Sequence, residues 1–274
     1  MVGRRRVVTA VAVLALLAGG WVAFVRLGPP SDSTCTVGTS GTVGPASSGS
    51  GTSTPYTISA TQAREASIIA AVAVQMGLPD HAVTVALATS LQETKLRNLP
   101  YGDQDSVGLF QQRPSQGWGT TAQILDPVYA ATVFYQHLVK VSGWESLAIT
   151  DAAQMVQHSA DPEAYAQWAD EARALAIALT GEVPAGLACT LHGYSGGPPQ
   201  AGALAAAESS ELGSPGFGVA VDAKRGWELA MWAVAHAYHY HLSSVSFAGQ
   251  TWTPSGSWKA TSSSGPAGAV TISP

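Results

Sequence analysis

One acidic residue, Glu93, lies shortly before a stretch that concentrates groups able to bind a polar ligand. That stretch holds two carboxylates, three amides and two aromatic rings within Tyr101-Gly102-Asp103-Gln104-Asp105-Ser106-Val107-Gly108-Leu109-Phe110-Gln111-Gln112-Arg113-Pro114. A loop of this composition lines a polar ligand better than it lines a core. Taken alone, Glu93 is a solvated or ion-paired surface acid, and the polar loop beside it makes it a candidate for proton transfer to a ligand.

Side chains of the same region suit a polar ligand. Gln111 and Gln112 offer both hydrogen-bond donors and acceptors. Tyr101, Phe110 and Trp118 can stack on a flat face of a ligand, and packing in a core is the alternative role of each ring. The region is thus the candidate substrate-binding surface.

Helical patterns position these groups. The sequence Ser59-Ala60-Thr61-Gln62 fits a capping box, and it begins a helix that stops at Gly77-Leu78-Pro79. Asp80 begins a second helix, and Glu93 lies near its C-terminal end, where the helix dipole disfavours an acid. The segment at 98–119 is interrupted by Pro, Gly and Asp, which predicts a loop or a short hairpin.

Three further helices are predicted. Asp126-Pro127 places an N-cap before a proline at the first helical position. Thr150 or Asp151 begins the next helix, and Asp161-Pro162 begins a long one that ends before Gly181. Five helices and one irregular insert predict a helix-rich domain.

Parts of this pattern resemble a known family. The helix end Ser90-Leu91-Gln92-Glu93-Thr94 and the loop Gly108-Leu109-Phe110-Gln111 are similar to the catalytic helix end and the Gly-Leu-Met-Gln loop of the lysozyme-like fold. Soluble lytic transglycosylases, goose-type lysozymes and resuscitation-promoting factors share that fold. Gln154 to Tyr165 is similar to a later cleft segment, and the resemblance covers residues 58–183.

The resemblance implies that Glu93 is catalytic and that the substrate cleft includes Gly108, Gln157 and Ser159. In such an enzyme a carboxyl shielded by apolar neighbours keeps its proton near neutral pH and delivers it to the leaving oxygen of a glycosidic bond, which makes Glu93 the candidate general acid. The implied substrate is an aminosugar polymer, whose N-acetyl groups Gln111 and Gln112 would bind and on whose sugar faces the three aromatic rings would stack.

The chain also departs from the family, and two mechanisms stay open. Thr94 stands where the family usually has Ser, and the Asn-Ile and Ala-Tyr-Asn motifs of transglycosylase members are lacking. If Glu93 acts alone, it protonates the bond and then serves as base while the sugar's own hydroxyl closes an anhydro ring, as the resemblance to lytic transglycosylases implies. If Asp103 or Asp105 assists, water is the nucleophile and the enzyme is a muramidase.

The N-terminal residues predict a location outside the cytoplasm. Three arginines at 4–6 precede an uncharged run, Val7–Val25, which spans ~28 Å as a helix. Residues 1–27 are predicted to be a cytoplasmic stub and one transmembrane anchor, with the following domains extracellular; secretion after signal cleavage is the alternative. Residues 28–57 are rich in Gly, Ser, Thr and Pro, which predicts a linker.

The chain has two cysteines, Cys35 in the predicted linker and Cys189 after the helical region. Outside the cytoplasm, two lone cysteines on either side of one domain favour a disulfide. Such a bond would join the linker to the end of the domain at 58–192.

The C-terminal third is predicted to fold separately. Residues 193–215 are rich in Gly, Pro, Ala and Ser, which indicates a second linker, and 216–274 combine a helical with an alternating strand pattern, typical of a small α+β module. Its histidines, His236, His239 and His241, do not share one helical face and have no Cys or carboxylate beside them. No metal site is therefore predicted.

Composition narrows the functional classes. Thirteen Lys and Arg against eighteen Asp and Glu give a net charge of −5, and no basic run supplies a face for nucleic acid.

The predicted fold is mainly α: a lysozyme-like helical domain with a short irregular or β insert, preceded by one transmembrane helix and followed by the α+β module. The predicted function is cofactor-free cleavage of β-1,4 glycosidic bonds in peptidoglycan outside the cell. Its partners are glycan strands and, through the anchor, the membrane; the alternative is a non-catalytic wall-binding or scaffold protein.

Overall fold

The described part of the chain folds into helices and short strands, and most of the helices lie between the second and third strands. The structure is a computed structural model that describes residues 33–38, 55–159, 161, 163–193, 200–213, 216–261 and 266–273. Its helices are α1 (Ala60–Gln75), α2 (Asp80–Thr94), α3 (Thr121–Ile124), α4 (Pro127–Leu138), α5 (Ile149–Gln157), α6 (Ala169–Leu179), α7 (Ala201–Leu212) and α8 (Ala223–Tyr240). Its strands are β1 (Thr34–Val37), β2 (Tyr56–Ser59), β3 (Leu187–Thr190), β4 (Ser244–Phe247), β5 (Gln250–Thr253), β6 (Ser257–Ala260) and β7 (Thr271–Ser273).

Two helix starts follow the predicted capping chemistry. The Ser59 side chain accepts a 3.2 Å hydrogen bond from the Gln62 backbone N–H, and the Gln62 side chain accepts one of 2.8 Å from the Ser59 N–H. The Asp126 carboxylate accepts from the N–H groups of the second and third residues of α4, after the proline at its first position. These bonds satisfy N–H groups that a helix start otherwise leaves unpaired, so both predicted caps are confirmed.

The first sheet joins distant parts of the chain. It is antiparallel, in the order β2-β1-β3, and Cys35 of β1 lies opposite Cys189 of β3. The two cysteines form the predicted disulfide, which is confirmed. The central strand β1 falls within residues 28–57, where a linker is predicted, and Val37 is fully buried.

The C-terminal residues build part of the same core. Helix α8 packs against α1, α6, β3 and β4, and the second sheet is antiparallel in the order β6-β5-β4-β7. Apolar side chains are buried around the whole of α8 rather than along one stripe, as in helices at the centre of a protein. Helix α7 lies within 193–215, the second predicted linker.

The predicted fold class is therefore wrong. A mainly α domain followed by a separate α+β module does not describe this structure, which has two antiparallel sheets of three and four strands. Residues Asp32–Pro274 form one compact unit. The physical reason is the burial of α8, whose tryptophans Trp227 and Trp232 need apolar partners that a module of some sixty residues supplies poorly.

The predicted membrane anchor at residues 1–27 lies outside the described residues. Within the described ranges, no helix combines the length and the apolar character that a membrane crossing needs. Residues 28–32 and 39–54 of the predicted first linker are likewise not described.

Candidate active site

Glu93 is held by two donors that come from distant parts of the chain. It lies in the last turn of α2 and is half-buried. Its Oε1 accepts a 2.9 Å hydrogen bond from the Tyr165 hydroxyl and a 3.3 Å bond from Nε2 of Gln157. Both hydrogen bonds reach the same oxygen, so the protein orients the carboxyl through Oε1.

Tyr165 is fully buried. Burial raises the pKa of its phenol far above the ordinary value, and the nearby Glu93 carboxylate raises it further. The phenol therefore keeps its proton across the physiological range and remains a hydrogen-bond donor to Glu93. Ser159 also lies within hydrogen-bond reach of this phenol.

Gln157 links the acid to the neighbouring loop. It is the last residue of α5, which ends because His158 adopts a left-handed conformation with φ of 52°. Besides Glu93, its Nε2 donates a 2.8 Å hydrogen bond to the carbonyl oxygen of Phe110. The resemblance implied Gln157 and Ser159 in the cleft, and both lie within one contact of Glu93 or Tyr165.

The loop after α2 is bound to that helix through its backbone. The hydroxyl of Thr94 donates a 2.9 Å hydrogen bond to the carbonyl of Leu109, and the hydroxyl of Ser90 donates one of 3.1 Å to the same oxygen. Gly108 has φ of +81°, and a Cβ there would lie 2.7 Å from the carbonyl oxygen of Ile124. Gly108 is therefore needed for the close approach of two backbones rather than as a contact for a sugar.

The two glutamines expected to bind N-acetyl groups instead form hydrogen bonds with backbone carbonyls of the protein. Gln111 folds back into its own loop, where Nε2 lies 3.3 Å from the carbonyls of both Tyr101 and Gly108. Gln112 is only 1% exposed and donates a 3.1 Å hydrogen bond to the carbonyl of Ala130. The expectation for Gln112 is corrected by this burial, because a ligand at the surface cannot reach its amide.

The predicted aromatic contacts separate into core and surface. Phe110 is fully buried and stacks on Phe134 with ring centres 4.6 Å apart, so its expected role against sugar is also corrected. Trp118 is half-buried beside His137, at 4.2 Å between ring centres. Tyr101 is 68% exposed and remains able to stack on a ligand.

Asp105 stabilises the loop. Its Oδ1 lies 2.9 Å from Nε of Arg113, and its Oδ2 accepts a 2.8 Å hydrogen bond from the Ser115 N–H. The Arg113 guanidinium, followed by Ser115, lowers the pKa of this carboxyl to about 2. Asp105 is therefore ionised near neutral pH and cannot serve there as a proton donor. Asp103 is exposed, and its backbone carbonyl accepts a hydrogen bond from Ser106.

Four residues near Glu93 were not predicted as site residues from the sequence. Oε1 of Gln92 accepts hydrogen bonds from Nε1 of Trp168 at 2.8 Å and from Nε2 of Gln167 at 3.2 Å. Nζ of Lys95 lies 4.0 Å from the centre of the Trp168 ring. No local pattern could have linked Gln92 with Trp168, because 76 positions separate them.

His236 belongs to the core, away from the residues around Glu93. It is fully buried, stacks on Trp232 at 4.0 Å, and its Nε2 lies 3.1 Å from Oε2 of Glu211. Among the described residues, no group of three or more His, Cys, Asp or Glu side chains is arranged to hold a metal ion.

Comparison with known proteins adds no assignment. No protein-family model matches the chain. No curated protein matches it either. Function is therefore inferred from the geometry around Glu93 and from the resemblance of the residues that flank it.

Proposed function

We propose that this protein cleaves β-1,4 glycosidic bonds of peptidoglycan outside the cell, with Glu93 as general acid and base. The observation that carries the proposal is the pair of hydrogen bonds from Tyr165 and Gln157 to Oε1 of Glu93. A carboxyl oriented by two donors through one of its oxygens suits proton transfer to a bound ligand, because such transfer requires hydrogen-bond distance and fixed geometry.

Glu93 acts twice in the proposed reaction. Its proton moves to the glycosidic oxygen as the bond between that oxygen and the anomeric carbon breaks. The 6-hydroxyl of the same sugar then bonds to the anomeric carbon, and the proton of that hydroxyl returns to Glu93. The products together have the composition of the substrate, so the reaction consumes neither water nor a cofactor.

The engagement of Asp105 favours this single-acid route over hydrolysis. A muramidase mechanism needs a second carboxylate as nucleophile or as base for water. Asp105 is bound by Arg113 and Ser115 instead. Asp103, the other candidate for that carboxylate, is exposed. We propose the single-acid route of a lytic transglycosylase because the Asp105 carboxylate is already engaged, and the end groups of the products decide between the two routes.

The disulfide supports the proposed compartment. Cys35 and Cys189 are bonded, and disulfides persist mainly outside the reducing cytoplasm. Peptidoglycan lies in that same compartment, so the proposed substrate and the redox chemistry of the chain agree.

Digestion of purified peptidoglycan by the full-length protein tests the proposal. Soluble products are analysed by mass spectrometry for the wild type, Glu93→Gln and Glu145→Gln, the last being the same change at an exposed carboxylate. The wild type and Glu145→Gln are expected to release fragments with anhydro ends. Glu93→Gln is expected to lose activity by at least about 10²-fold, the scale of general acid catalysis.

Other products would decide against parts of the proposal. Reducing ends in place of anhydro ends would indicate hydrolysis and remove the single-acid mechanism. Undiminished activity of Glu93→Gln would remove Glu93 from its role. Intact glycan that nevertheless binds the protein would support the non-catalytic wall-binding alternative.

A further inference from the structure

A positively charged group stands directly beside the candidate acid. Lys95 follows Glu93 by two positions, and its Nζ lies 4.0 Å above the centre of the Trp168 ring. The ring is itself held by the 2.8 Å bond from its Nε1 to Oε1 of Gln92, the residue before Glu93. A cation over the face of a tryptophan ring is attracted by the ring electrons, so this contact favours one position of the Lys95 ammonium.

The backbone of Lys95 is fixed as well. Its N–H donates to the carbonyl of Leu91 at 3.2 Å, and its carbonyl accepts a 2.8 Å hydrogen bond from Nε2 of Gln62 in α1. Lys95 adopts a left-handed conformation with φ of 56°, which ends α2 and turns the chain towards the loop. Backbone and side chain are therefore both positioned, although the residue stays exposed to solvent.

The charges around this ammonium are mixed. Glu171 and Glu93 lie within electrostatic reach and favour the charged form, whereas Arg97 opposes it. Partial burial is the largest influence, and it lowers the pKa of Lys95. An ammonium that has lost part of its water shell gains more from an added anion than a fully hydrated one does.

We propose that Lys95 is a specificity-determining residue that binds a carboxylate carried by the glycan strand at the Glu93 site. This inference rests on the proposed function. Peptidoglycan carries carboxylates in two places. One is the free lactyl carboxylate of a muramic acid without peptide, and the others are the carboxylates of the peptide itself. A neutral aminosugar chain offers neither.

The test compares three strand preparations as substrates of the full-length protein. The first carries peptides, the second has been freed of them by an amidase, and the third is peptide-free with its lactyl carboxyls converted to amides. Each is used to measure kcat and KM for the wild type, Lys95→Gln, Lys95→Arg and Lys259→Gln. Lys259 is an exposed lysine of β6 and controls for the change in net charge.

We expect Lys95→Gln to raise KM about tenfold on carboxylate-bearing strands, the scale of one hydrogen bond to a charged group, and to leave kcat unchanged. On the amidated strands this variant should equal the wild type. Lys95→Arg and Lys259→Gln should stay within about twofold of the wild type, since both keep a cation at 95. A rise confined to peptide-free strands identifies the lactyl carboxylate, and one confined to peptide-bearing strands identifies the peptide.

Two outcomes would overturn the inference. An equal change on all three preparations would mean that Lys95 acts through Glu93 or through stability, and no change on any would mean that it recognises nothing. If the wild type cleaves none of the strands, the proposed function fails, and equilibrium binding of the same preparations to the same variants then decides the role of Lys95. In that case equal dissociation constants for the wild type and Lys95→Gln would contradict it.

Discussion

The Tyr165 hydroxyl donates a 2.9 Å hydrogen bond to Oε1 of Glu93 across 72 positions of the chain. Because Tyr165 is fully buried, the core of the protein sets the position of the Glu93 carboxyl. Because burial raises the pKa of the Tyr165 phenol, this group keeps its proton and can orient the Glu93 carboxyl without acting as an acid itself. The contribution of the Tyr165 hydroxyl can therefore be tested by a substitution that removes only this group.

Replacement of Tyr165 by Phe removes the donor and leaves the ring. We expect kcat on peptidoglycan to fall about tenfold with KM little changed, because orientation of the acid matters in the transition state. The free energy of unfolding should fall by about 1 kcal/mol. Steady-state kinetics and urea unfolding measure both effects.

Tyr135→Phe is the matched control for that variant. Tyr135 is also fully buried, and its hydroxyl donates a 2.9 Å hydrogen bond to the carbonyl of Ile69, with no contact to Glu93. A similar loss of stability with unchanged kcat is expected. Equal activity losses in the two variants would show that Tyr165 acts through stability alone.

Thr94→Val tests the attachment of the loop to α2. The change removes the hydroxyl that donates to the carbonyl of Leu109 but keeps the shape of the side chain. We expect kcat/KM to fall about tenfold because the loop beside Glu93 loosens, whereas Thr94→Ser should keep most activity. Thr89→Val is the control, since that hydroxyl donates only within α2, to the carbonyl of Val85. Thermal unfolding of each variant separates lost stability from lost positioning.

Asp105→Asn tests whether Asp105 is the second carboxylate of a muramidase mechanism. The asparagine amide keeps an oxygen that can accept the hydrogen bond from the Ser115 N–H, but it lacks the negative charge that faces Arg113. With Glu93 as the single acid, activity should fall less than about threefold, which is the effect of a slightly loosened loop. A loss as large as that of Glu93→Gln, measured on the same peptidoglycan, would instead assign Asp105 a direct part in the reaction.

Glu228→Gln should change how stability depends on pH. Glu228 is 4% exposed, and burial raises its pKa from 4.5 to about 7 although the Arg225 guanidinium lowers it in part. The folded state therefore binds this proton more tightly than the unfolded state, so the stabilisation is complete below pH 4.5 and is lost as the pH rises through 7. Glutamine cannot titrate and should lack this loss.

Urea unfolding of the wild type and Glu228→Gln at pH 4.5 and pH 8 measures the effect. Relative to the variant, the wild type should lose on the order of 3 kcal/mol of unfolding free energy between these pH values. Glu145→Gln, at an exposed carboxylate, controls for the loss of a negative charge. Parallel pH dependences of the wild type and Glu228→Gln would contradict the raised pKa.

Local chemistry made some features predictable and left others hidden. The caps at Ser59 and Asp126 depend on residues within three positions, so they could be predicted from the sequence. Strand β1 could not, since four residues in a Ser- and Thr-rich segment become a strand only when β2 and β3 supply hydrogen bonds on both sides. Strand formation depends on such distant partners more than helix formation does.

The candidate site also combines features that the sequence predicts with features that depend on tertiary contacts. Glu93, its place at the end of a helix and the polar loop after it follow from the sequence, as does the pairing of Cys35 with Cys189. Only the tertiary structure decided that Phe110 and Gln112 turn inwards and that Tyr165 reaches Glu93. The physical reason is that side-chain type and local spacing state which contacts a residue can make, whereas burial depends on neighbours that folding brings from elsewhere in the chain.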